Sequence, residues 1–69
     1  MSPQQQEIEK MKPEIKQEVR LAFKANMKIF DWDIPENNDR ASAELIIDAM
    51  QEAIDELRAE IANGKFDQY

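Results

Sequence analysis

Apolar residues recur at helical spacing in two separate stretches of the chain. In the first, Ile15, Val19, Ala22, Phe23, Asn26 and Phe30 fall three or four residues apart, and Ile8 and Met11 extend the stripe backward. Leu21, Ala25, Met27 and Ile29 widen this arc beyond what one neighbouring helix would cover. In the second stretch, Ala43, Ile47, Met50, Ile54, Leu57 and Ile61 alternate spacings of four and three without a miss, flanked by Ile46 and Ala53. Two amphipathic helices follow from this pattern.

Local signals place their ends. Ser2, Pro3 and Gln5 form a helix start with a capping box, so helical structure begins near residue 3. Pro13 cannot donate to the carbonyl of Glu9 and biases Lys12 away from helical geometry, which predicts a kink or break there and a firm helix from about 13 to 30. Asp39 is the expected cap of the second helix, which ends at Asn63-Gly64, near residue 63. A short tail, 64–69, carries Phe66 and Tyr69. The predicted fold is all-α: one domain, residues 1–69, built as an antiparallel helical hairpin that pairs into a four-helix bundle.

The connection, FDWDIPENNDRAS, is rich in acids. Asp31, Asp33 and Glu36 resemble the start of a calcium loop, yet such a loop needs Asp or Asn at its fifth position, Gly at its sixth and Glu at its twelfth. Here those positions hold Pro35, Glu36 and Ser42. Turn and cap chemistry accounts for more of the residues: Pro35 stops the first helix, Asn37, Asn38 and Asp39 start the next, and Trp32 and Ile34 plug the core end. The stretch reads as an acidic turn over about 31–38 with a hydrophobic lid.

Composition narrows the function. The chain has no histidine, cysteine or threonine and only Ser2 and Ser42 as serines, so it lacks the usual general base, thiolate ligands and any activated nucleophile. No enzyme, metal or cofactor is expected. The first residues lack the basic and apolar regions of a secretory signal, and no apolar run approaches the ~20 residues needed to span a bilayer. The expected compartment is the cytoplasm, without membrane attachment.

Charge is segregated. Residues 1–30 carry six basic against four acidic residues, net +2, and residues 31–69 carry three against eleven, net −8, giving the −6 of the whole chain. A basic row (Lys12, Lys16, Arg20, Lys24, Lys28) and an acidic row (Glu44, Asp48, Glu52, Glu56, Glu60) both run at a stride of four. In an antiparallel hairpin centred near Glu36, Lys16/Glu56 and Ile15/Leu57 stand at equal heights. At about 100° per residue, however, the two rows drift to opposite flanks and do not form an internal ladder.

A chain of 69 residues holds a small core, and burial shared with another chain would supplement it. The leading expectation is a non-catalytic protein-interaction module, an adaptor, regulator or inhibitor that dimerises and docks on a larger protein. Its candidate interface is Leu21, Ala25, Met27, Ile29 and Trp32. Two alternatives use the charged rows: an acidic nucleic-acid mimic acting on a nucleic-acid-binding protein, and an RNA-binding hairpin dimer. Nucleic acid is the less favoured partner, because the whole molecule repels a polyanion.

Overall fold

The computed structural model describes residues 2–33 and 38–69, with side-chain positions for 2–31 and 38–69. It contains helix α1, Pro3–Asp33, and helix α2, Asp39–Ala62, and no strand among the described residues. The molecule is an all-α helical hairpin.

The start of α1 follows the capping-box expectation. The Ser2 amide donates to Gln5 Oε1 at 2.9 Å, and the Gln5 amide donates to Ser2 Oγ at 3.2 Å. The expected break at Pro13 does not occur, because α1 is continuous through it. Proline removes one hydrogen bond, to the Glu9 carbonyl, and both residues lie on the exposed polar side where water satisfies that carbonyl. α1 also runs past residue 30, so Asp31 to Asp33 are helical and not part of the turn. The expected plug by the Trp32 and Ile34 side chains, and residues 34–37, lie outside the described residues.

α2 begins one residue earlier than expected in its capping. Asn38, with extended backbone, is the cap: its Oδ1 accepts from the amides of Arg40 at 3.0 Å and Ala41 at 3.2 Å. Asp39 instead opens the first turn, where its negative charge faces the positive end of the helix dipole. The far end closes as Asn63-Gly64 predicts. Gly64 takes φ of 82°, the Lys65 amide donates to the Glu60 carbonyl and the Gly64 amide to the Ile61 carbonyl, both at 3.0 Å, which is a Schellman motif. The tail then turns back on itself. Phe66 and Tyr69 meet edge to face at 5.9 Å, and Lys65 Nζ lies 5.8 Å from the Phe66 ring.

Tertiary packing is confined to one end. The apolar helix residues of reduced exposure are Phe23, Met27 and Phe30 on α1 and Ala43, Ile46 and Met50 on α2, beside Ser42 and all near the turn; at the far end of α2 only Glu60, paired with Lys65, is half-buried. Ser42 is the one buried residue among those described, at 2 % exposure, and its hydroxyl donates to the Asn38 carbonyl at 3.1 Å. The helices pack together near the turn and diverge beyond it. The Cα extents are 49 × 27 × 17 Å, and the 27 Å width exceeds the roughly 15 Å that two parallel packed helices would need.

Candidate interaction surface

Divergence leaves both apolar seams open along the arms of the hairpin. Ile8, Met11, Ile15 and Val19 on α1 and Ile54, Leu57 and Ile61 on α2 are each between 40 and 59 % exposed. No hydrophobic residue among those described is buried. Ile15 and Leu57, expected to face each other at equal height, both remain open. The arm part of the α1 seam, Ile8, Met11, Ile15, Val19 and Ala22, keeps a mean spacing of 3.5 residues. That spacing suits near-parallel knobs-into-holes packing, which two diverging helices do not supply.

Of the expected interface residues, Leu21, Ala25 and Ile29 are exposed on α1, with Leu21 and Ile29 at 54 and 60 %. Met27 separates from them, because it is half-buried near the turn. Trp32 belongs to α1 by its backbone, and its side chain lies outside the described residues. Leu45, on the outer side of α2, is a further exposed apolar residue, at 61 %, that periodicity did not single out. The seam residues themselves were read as core; their regular spacing in so short a chain was the sign that another surface must cover them.

The charged rows stay apart. Lys12 Nζ pairs with Glu9 at 3.1 Å within α1, and Lys65 Nζ pairs with Glu60 at 3.0 Å at the end of α2. No ion pair joins the basic row to the acidic row among the described residues. Lys16, Arg20, Lys24 and Lys28, and Glu44, Asp48, Glu52 and Glu56, are exposed. The Lys65 pair has a local cause, since Glu60 sits near the negative end of the α2 dipole and the lysine offsets that repulsion. Both pairs are solvated and contribute about 0–1 kcal/mol each.

One polar side chain interrupts the α1 seam. Asn26 donates through Nδ2 to the Ala22 carbonyl at 2.9 Å, which holds the amide against its own helix. Among the described residues no helix is long and apolar enough to cross a membrane. No protein-family model, no curated protein and no solved structure matches this chain.

Proposed function

We infer that the chain is a small non-catalytic protein-interaction module of the cytoplasm, an adaptor, regulator or inhibitor that works by docking on a larger protein, with paired hairpins in a four-helix bundle as its assembled form. The observation that carries this reading is the absence of any buried hydrophobic residue among those described, beside two regular open seams. Helices in water owe most of their stability to a covered apolar face, so a hairpin of this kind is completed by another protein surface. Leu21, Ala25 and Ile29 lie to one side of the α1 seam and form the patch for the larger partner.

The test replaces Leu21 by a photoreactive leucine analogue, and in parallel by Asp. The reading expects a discrete heavier adduct from the first, and from Leu21→Asp loss of that partner with unchanged circular dichroism. Equal loss of helix and partner would place Leu21 in a core and remove the patch.

The acidic row supports a second reading. Glu44, Asp48, Glu52 and Glu56 are exposed and enter no ion pair among the described residues, so α2 offers carboxylates to a cleft built for phosphates. Reversing Glu52 and Glu56 to Lys would then abolish partner binding without loss of helix; unaffected binding would end this reading.

A further inference from the structure

The open seams invite a definite occupant. A folded chain of 8.1 kDa is expected to expose about 4,500 Å² if compact. This hairpin exposes 6429 Å². The excess, about 1,900 Å² per chain, is surface that a chain of this mass normally covers. Two chains that each covered it would bury about 3,800 Å² together, inside the range of obligate homodimers and well above that of weak encounters.

We propose that the occupant is a second copy of this chain, which enters the mouth of the hairpin turn-end first and at the far end from its partner's turn. The inference rests on reading the open seams as an interaction surface and names what covers them. Three features favour this partner. A seam of heptad-like spacing is matched by another such seam, and each copy brings two, so an isologous pair leaves neither uncovered. The helices are covered near Ser42 and uncovered along the arms at Ile15 and Leu57, so the closed end of one copy fits the open end of the other. Asn26 is an exposed polar residue within the stripe, and a single amide at such a position fixes register and the number of strands.

The molecule then has two kinds of packing. The turn end, at Phe23, Met27, Phe30 and Ile46, is packed within one chain, whereas the arms around Ile15 and Leu57 are packed between chains. Order in the arms depends on protein concentration, and order at the turn end does not.

The experiment uses the unmodified full chain in sedimentation equilibrium from 1 to about 200 µM, together with isotope-filtered NMR on a mixture of labelled and unlabelled chains. The expected result is a mass twice 8.1 kDa, with nuclear Overhauser contacts between chains at the methyls of Ile15, Ile54 and Leu57. Asn26→Val should tighten association and admit species larger than the dimer. A monomer throughout, helical and with no contacts between Ile15 and Leu57, overturns the second copy and leaves the seams open for another protein. A monomer with contacts between Ile15 and Leu57 of the same chain overturns both readings, because the hairpin then covers its own seams. A dimer whose interchain contacts come only from Leu21, Ile29 and Leu45 also overturns the proposed geometry.

Discussion

The two ends of this hairpin use the same kinds of residue to opposite effect. Near the turn, Phe23, Met27 and Phe30 on α1 and Ser42, Ile46 and Met50 on α2 lose much of their exposure. In the arms, Ile8, Ile15, Ile54 and Ile61 are as apolar and as regularly spaced, and they stay open. The difference lies in how far the two helices stay together. A seam averaging 3.5 residues needs a near-parallel neighbour along its whole length. Apolar periodicity thus identifies a face, and the path of the neighbouring helix decides whether the chain itself can cover it.

This contrast can be broken at either end. The largest effect is expected from Ile15→Asp in an arm. A carboxylate in the seam should abolish association and lower the mean helicity measured by circular dichroism, with the loss concentrated in the arms. If association and helicity were unchanged, the arm seam would have no role in packing. Next comes Ser42→Leu, which forces a large side chain into a buried position near the turn and should cost about 1–3 kcal/mol, read as a lowered denaturation midpoint. Ser42→Ala should cost less than Ser42→Leu.

Phe30→Ala removes a half-buried ring near the turn and should destabilise by about 1–2 kcal/mol, below the 3–5 kcal/mol typical of a fully buried site. Its signature sharpens the comparison: the fall in melting temperature should be the same at every protein concentration, whereas arm substitutions should alter the concentration dependence itself. The smallest effects belong to the two ends of α2. Asn38→Ala, at the turn end, loses the oxygen that accepts from Arg40 and Ala41 and should cost ~1 kcal/mol. Gly64→Ala, at the arm end, places a Cβ at a φ of 82° and 2.9 Å from Asp67 Oδ2, and should also cost ~1 kcal/mol. Amide exchange should report the first as weaker protection around Ala41 and Ser42, and the second as fraying around Ile61.

Much of this architecture was legible in the sequence, and the misses have identifiable causes. Ser2 and Gln5, and Asn63 and Gly64, marked helix ends because their chemistry is local and answers to the backbone alone. Asn38 and Asp39 are both good caps and stand side by side, so the choice between them turned on where the connection delivers the chain. Pro13 argued for a kink or a break, and the helix runs through it unbroken, since a solvent-facing carbonyl is satisfied by water. The open arms were not legible. Hydrophobic spacing says that Ile15 and Leu57 need cover, and it is silent on whether that cover comes from the same chain. Nor could spacing reveal that one small residue, Ser42, would be the buried position among those described, or that Met27 would be less exposed than Leu21 and Ile29.

The buried position of Ser42 has a mechanical meaning. From there to the end of α2 is about 20 residues, a rigid lever of ~30 Å. A rotation of about 10° near the turn therefore moves the far tip by ~5 Å, half the usual distance between packed helix axes. The spacing of the two arm tips is thus set near Ser42, far from the tips themselves, and the volume of one side chain is enough to retune it.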